Sequence, residues 1–184
     1  MREYVTPANI ITSGNLSAGF LALVAVYADR LYLAAALVAL AGILDSLDGP
    51  LARRRASDGA FGTNLDSLSD LVSFGVAPAL ALYQGSLHAM PALGVAVCAF
   101  FVLCGTWRLA RFPLIKDSRR FAGLPIPPTG VFVTVLAAWG PTPVVLVPVT
   151  IVLSGLMVSS VPFPTMSSAV GGAAAVSRHL THRR

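Results

Sequence analysis

Four aspartates stand in two pairs in the first half of the chain. Asp45 and Asp48 are three residues apart, and Asp66 and Asp70 are four residues apart. On a helix, either spacing places the two carboxylates of a pair on one face. Carboxylates that converge in this way repel one another, and hard divalent cations such as Mg²⁺, Mn²⁺ or Ca²⁺ relieve that repulsion. The pattern therefore predicts a site for divalent metal ions.

The segments that carry these aspartates belong to a chain too apolar for a soluble protein. Of the 184 residues, 55% are hydrophobic and 11% are charged, whereas a soluble domain carries roughly 25% charged residues. A helix that spans a membrane needs about 20 mostly apolar residues. We expect an all-α integral membrane protein with six transmembrane helices, near residues 9–28, 31–49, 65–83, 92–110, 128–139 and 144–161.

The basic residues predict how these helices are oriented. Of the 13 lysines and arginines, all but Arg30 fall on one side of the predicted membrane. The positive-inside rule makes that side the cytosol, so both termini and the aspartate pairs are expected there, at the cell membrane. The net charge of +5 is then a topology signal, and no nucleic-acid partner is expected. We divide the chain into a transmembrane domain, 1–163, and a basic cytosolic tail, 164–184.

Small residues and an arginine accompany the first pair of aspartates. Gly49 and Ala52 leave room for a ligand beside the carboxylates, and the Arg53 guanidinium can bind two phosphate oxygens at once. Gly62 is expected in the loop before the third span. Two metal ions beside an arginine suit a nucleoside diphosphate and displacement at phosphorus. In the alternative interpretation, the aspartates pair with the arginines at 53–55 in a salt-bridge belt at the membrane interface.

Residues 45–70 read DSLDGPLARRRASDGAFGTNLDSLSD. This segment resembles the signature of the CDP-alcohol phosphotransferase family, D-x2-D-G-x2-A-R-x8-G-x3-D-x3-D, at every fixed position. The resemblance implies two divalent cations, Mg²⁺ or Mn²⁺ with Ca²⁺ as a further occupant, and a homodimer. It implies that Asp70 is also the catalytic base for the acceptor hydroxyl. The metal ligands it implies are Asp45, Asp48, Asp66 and Asp70, and the CDP-binding residues are Asp48, Gly49, Ala52, Arg53 and Gly62.

Four other segments, LVSFGVAPA, RLARFP, FAGLPIP and LMVSSVPFP, resemble the serine-accepting branch of that family. That branch transfers a phosphatidyl group from CDP-diacylglycerol to L-serine and releases CMP. The resemblance leaves open an ether-lipid analogue as the donor. Arg108 and Arg111 lie three residues apart at the cytosolic end of the fourth span, where a guanidinium could bind the serine carboxylate. The alternative is that both arginines are positive-inside anchors.

Other functions for the same residues stay open at this point. The acceptor could be glycerol 3-phosphate or inositol phosphate, although a phosphorylated acceptor needs a cluster of cations at the site. Acidic residues inside a membrane also mark ion pathways, which makes a divalent-cation transporter an alternative. Against a transporter, the aspartates cluster at one membrane face and no polar track continues through the spans. Asn9 and Asn15 of the first span could reach the nucleotide or make polar contacts between helices.

Overall fold

A computed structural model describes residues 5–54, 59–111 and 123–159. Within these ranges, side chains are described for all residues except 48–54 and 59. All regular elements in these ranges are helical. Seven α-helices follow one another in the described ranges, with a π-helical turn between the third and fourth and a 3₁₀ turn, Leu87–Ala89, before the fifth. The α-helices are α1 (Pro7–Tyr27), α2 (Leu31–Arg54), α3 (Gly59–Asp70), α4 (Ala77–Gly85), α5 (Pro91–Arg111), α6 (Ile126–Trp139) and α7 (Pro143–Val158).

Within the described part of the chain, three helical segments have the length and composition to cross a membrane. They are Pro7–Tyr27, Ala60–Gly85 and Pro91–Arg111. Three further apolar helices, Leu31–Leu47, Ile126–Trp139 and Pro143–Val158, are shorter. The predicted all-helical architecture is therefore confirmed for the part of the chain described, and its long apolar helices agree with a membrane protein. The count of six spans and the cytosolic termini stay predictions.

The second of these segments, Ala60–Gly85, is one helix of 26 residues that changes its winding partway. Its α3 part passes directly into a π-helical turn, Leu71–Val76, and then into α4. The backbone amide of Ala77 donates to the carbonyl of Val72, five residues back, as π winding requires. Such a turn inserts an extra residue into a helix and is frequently found at functional sites. Here it begins immediately after Asp70.

Small residues let α1 and α2 lie close together. The two helices are joined by a tight turn in which Asp29 has a positive φ of 58°, and they pack against each other along their length. Helices in a membrane associate through van der Waals contact, and small side chains at the interface permit it. Alanine is the most frequent buried residue among the described positions of both helices: Ala8, Ala18, Ala22 and Ala25 in α1, and Ala34, Ala35 and Ala41 in α2.

Two glycines bring α1 and α6 against the backbone of the π-helical turn. A Cβ atom at Gly19 would lie 2.8 Å from the Cα of Ser73, and one at Gly130 would lie 2.7 Å from the Cα of Phe74. Real Cβ atoms essentially never come within 3.0 Å of such neighbours. Phe74 itself is fully buried. The position of the π-helical turn, and of Asp70 just before it, is therefore set by direct backbone packing.

Helix ends differ from the predicted spans on the side that carries the aspartates. The second helix continues to Arg54, and the third begins at Gly59. Gly62, expected in a loop, lies inside α3, so that expectation was wrong. Hydropathy detects only the stretch that fits the hydrocarbon core, whereas a helix can continue into polar residues beyond it. Asp66 consequently lies within a formed helix rather than at its first residues.

Candidate active site

Three of the four predicted carboxylates come together at one place. Asp45 of α2 and Asp66 and Asp70 of α3 each offer a carboxylate oxygen, and these oxygens all lie within 4.8 Å of one another. Asp45 and Asp66 are half-buried, and Asp70 is only 6% exposed. The aspartates therefore do bring acidic oxygens together, as their spacing in the sequence predicts. Asp45, Asp66 and Asp70 form the carboxylate cluster. Its role as a metal site stays a prediction.

Helix α1 supports both helices that carry the cluster. It packs against α2, α3 and the π-helical turn. Within α3, Asp66 and Asp70 are one helical turn apart and share a face. Gly62 lies one turn before Asp66 on that same face of α3. The other predicted nucleotide contacts, Asp48, Gly49, Ala52 and Arg53, belong to α2, but their side chains lie outside the described residues.

A hydrogen bond joins Asp70 to the first helix. The amide Nδ2 of Asn15 donates to Asp70 Oδ1 over 3.1 Å. The hydroxyl of Ser73, in the π-helical turn, donates to the backbone carbonyl of Asn15, also over 3.1 Å. Asn15 and Ser73 are both fully buried. The polar contact between helices, one of the two roles left open for Asn15, is therefore present.

The sequence contained a signal for Asn15 but none for Ser73. A buried amide in an apolar transmembrane segment is costly, so such a residue is a candidate for a function. Serine is common in transmembrane helices, where its hydroxyl bonds to the carbonyl four residues back, as Ser69 does to Leu65. Only the packed structure shows that the hydroxyl of Ser73 bonds to another helix instead.

Arg108 lies near the carboxylate cluster, whereas Arg111 is exposed at the end of α5. The guanidinium of Arg108 is half-buried and is attracted electrostatically by the carboxylates of Asp70 and Asp45. Its Nε is buried and has no hydrogen-bond partner among the described residues. Of the two arginines predicted to bind an acceptor carboxylate, Arg108 is the one whose charge acts on the site.

The donor atoms of the cluster suit a hard divalent cation. All three are carboxylate oxygens, and the cluster contains no histidine or cysteine among the described residues. Oxygen ligands of this kind favour Mg²⁺, Mn²⁺ or Ca²⁺ over softer metals. Three neighbouring negative charges inside a largely apolar helix bundle also require positive charge nearby. The residues present therefore fit the predicted divalent ions.

Comparison with known proteins identifies sequence relatives across most of the chain. The model of the family described as CDP-alcohol phosphatidyltransferase matches residues 5–168. The CDP-diacylglycerol–serine O-phosphatidyltransferase of Bacillus subtilis (strain 168) is 34% identical over 156 residues, which are 84% of this chain and 88% of the relative. The archaetidylserine synthase of Methanothermobacter thermautotrophicus is 34% identical over 175 residues, 88% of this chain and 71% of the relative. A CDP-diacylglycerol–serine O-phosphatidyltransferase of Helicobacter pylori (strain 26695) is 33% identical over 172 residues, which are 88% of this chain and 72% of the relative.

Proposed function

The chain belongs to the CDP-alcohol phosphatidyltransferase family, and on this premise we propose that it transfers a phosphatidyl group from CDP-diacylglycerol to L-serine. The products are phosphatidylserine and CMP. The observation that carries this proposal is the carboxylate cluster of Asp45, Asp66 and Asp70, because it supplies the ligands that transfer at a diphosphate requires. The choice of L-serine as acceptor is supported by the names of the relatives.

The reaction is an exchange of phosphorus–oxygen bonds. The serine hydroxyl oxygen attacks the phosphorus that carries the diacylglycerol, and the bond from that phosphorus to the CMP oxygen breaks. Asp70 accepts the proton of the hydroxyl, and the electron pair of the broken bond leaves with CMP. Such positioned proton acceptors contribute about 10²–10⁴-fold to a rate.

The carboxylate cluster would hold two divalent cations, Mg²⁺ or Mn²⁺, with Asp48 completing the ligand set. When bound, these ions supply neutralising charge to the diphosphate as the bonds at phosphorus are exchanged. The chain's own residues arrange the reactants: Gly49, Ala52, Arg53 and Gly62 bind the CDP group. The buried position of Asp70 keeps bulk water from competing for the proton.

Arg108 is the residue we assign to the carboxylate of L-serine. It lies in the last turn of α5, and its charge acts on Asp70 and Asp45. A guanidinium binds a carboxylate through two parallel hydrogen bonds, which fixes the orientation of the ligand. Serine held in this way would have its hydroxyl near Asp70. Arg111 is exposed and is assigned a secondary part, at the membrane interface or at the mouth of the site.

The proposal includes a cytosolic active site in the cell membrane. Six spans are expected from the apolar stretches, with the shorter apolar helices of α2, α6 and α7 added to the three long ones. The distribution of basic residues would place both termini in the cytosol. In this topology residues 1–163 form the transmembrane domain, residues 164–184 form a basic tail near the lipid headgroups, and two copies form a dimer. An ether lipid with a CDP headgroup is a second candidate donor, supported by the archaeal relative named archaetidylserine synthase.

The test measures CMP release by the purified protein in detergent micelles that contain CDP-diacylglycerol and Mn²⁺ or Mg²⁺, with and without L-serine. We expect release that depends on serine, with phosphatidylserine identified as the product by mass spectrometry. Release only with glycerol 3-phosphate or inositol phosphate would overturn the choice of acceptor but not of family. A parallel assay with the CDP ether lipid distinguishes the two donors. Uptake of Mn²⁺ by proteoliposomes tests the alternative function as a divalent-cation transporter.

A further inference from the structure

Asn15 makes a polar connection whose two ends lie on one neighbouring helix. Its side-chain Nδ2 donates to Asp70 Oδ1, and its backbone carbonyl accepts from the Ser73 hydroxyl, each over 3.1 Å. Asp70 and Ser73 are three residues apart, on either side of the start of the π-helical turn. One residue of α1 is therefore bonded both to the carboxylate and to the backbone segment that follows it.

The remaining polar atom of this amide shows what the connection costs. Asn15 Oδ1 is buried and has no hydrogen-bond partner among the described residues. A buried unpaired acceptor lowers stability. Turning the amide over would not help, because its oxygen would then face the carboxylate of Asp70. The carboxylate thus dictates the orientation of the amide. Asn15 donates a hydrogen bond to Asp70, and its own Oδ1 is left without a partner among the described residues.

Close backbone packing holds this donor in place. Gly19, one helical turn after Asn15, faces Ser73 so closely that no side chain fits between them. The distance from α1 to the π-helical turn is therefore determined by backbone contact rather than by flexible side chains. A donor mounted on so rigid a support can restrict a carboxylate to one orientation.

We propose that Asn15 is a positioning residue that holds the Asp70 carboxylate in the orientation in which it joins Asp45 and Asp66 as a metal ligand. The inference rests on the proposed function, which makes the cluster a metal site. Residues that orient metal ligands through hydrogen bonds typically contribute 10–100-fold to metal affinity. Ser73 assists by fixing the backbone of Asn15.

The experiment measures Mn²⁺ binding directly, independently of turnover. Purified full-length protein in detergent is titrated with Mn²⁺, and free Mn²⁺ is followed by electron paramagnetic resonance. The variants are Asn15→Leu, which keeps a side chain of similar size without the donor, and Ser73→Ala, which frees the Asn15 carbonyl. Asp45→Asn identifies binding outside the cluster. Thr150→Val is the matched control, because Thr150 is also buried with a side-chain oxygen that has no partner among the described residues but lies in α7.

We expect Asn15→Leu to weaken Mn²⁺ binding about tenfold while a cooperative melting transition shows that the variant stays folded. Ser73→Ala should weaken binding in the same direction by a smaller factor, and Thr150→Val should not change it. Binding by Asn15→Leu within twofold of the parent would overturn the proposal. If Asn15→Leu does not fold, Ser73→Ala decides, and unchanged binding by that variant overturns the proposal.

The same samples separate this inference from the proposed function. Parent protein that binds Mn²⁺ at the cluster but forms no phosphatidylserine would contradict the proposed function and leave the positioning role to be decided by the binding data. Parent protein that forms phosphatidylserine while Asn15→Leu binds Mn²⁺ normally would contradict only the positioning role. If Asp45→Asn binds as much Mn²⁺ as the parent protein does, the cluster is not the metal site. That result would also contradict the positioning role.

Discussion

Asn15 and Asp70 are 55 residues apart in the chain, and the amide nitrogen of Asn15 donates a hydrogen bond of 3.1 Å to Asp70 Oδ1. This bond connects the first helix to the residue we assign as the proton acceptor. The backbone of α1 meets the π-helical turn at Gly19 and Ser73, close to the same point. The geometry of the site therefore depends on α1, a helix that carries none of the predicted metal ligands.

Replacing Asp70 with asparagine should abolish transfer. The substitution preserves the shape of the side chain but removes the charge that accepts a proton and binds a cation, so we expect a loss of about 10²-fold or more in CMP release. Asp29→Asn is the matched control, because Asp29 is exposed in the α1–α2 turn and asparagine also tolerates its positive φ. Near-normal turnover by Asp70→Asn would contradict the assigned role.

Replacing Asp66 with asparagine should raise the Mn²⁺ concentration needed for activity. Loss of a residue that only orients a ligand already costs 10–100-fold in metal affinity, so loss of a ligand should cost about tenfold or more. CMP release is measured across a Mn²⁺ titration, and excess metal should recover part of the activity. A half-saturating concentration equal to that of the parent protein would exclude Asp66 from the ligand set.

Replacing Arg108 with leucine should raise the KM for L-serine while leaving the KM for CDP-diacylglycerol nearly unchanged. A hydrogen bond to a charged group is worth about 1.5–3 kcal/mol, which corresponds to roughly a tenfold or greater rise in KM. Arg30→Leu serves as the control, since Arg30 is exposed in the α1–α2 turn. Arg111→Leu should have the smaller effect of the two candidate arginines. Equal changes in both KM values would assign Arg108 a general role in folding or in lipid binding.

Replacing Gly19 with alanine should destabilise the protein by about 1–3 kcal/mol. The new methyl group would overlap the backbone of Ser73, which can give way only if α1 moves. Gly155→Ala is the matched control within a helix, because a Cβ atom at Gly155 meets nothing within 4 Å. That control should be neutral or stabilising by up to about 1 kcal/mol. Thermal unfolding in detergent compares the two, and equal melting temperatures would contradict the close packing.

The local part of the site could be predicted from the sequence because it depends on spacing within a helix. Asp66 and Asp70 share a face for the simple reason that they are one turn apart, and the same rule predicts a pairing of Asp45 with Asp48. The proximity of Asp45 to Asp66 and Asp70 could be predicted because consecutive helices carry these aspartates on the same side of the predicted membrane. Gly62 was misplaced because hydropathy reports the lipid-buried stretch and not the helix end.

Residue types and their spacing along the chain determined the helical membrane architecture, the carboxylates and the family. Tertiary structure alone decided that Asn15 meets Asp70, that Ser73 bonds across to α1, and that Arg108 rather than Arg111 lies near the acids. The first two of these contacts depend on the π-helical turn, which shifts the helical register by a residue, and on the close approach of α1 at Gly19. Neither feature follows from hydropathy or motif spacing, because both arise from how closely particular backbones pack.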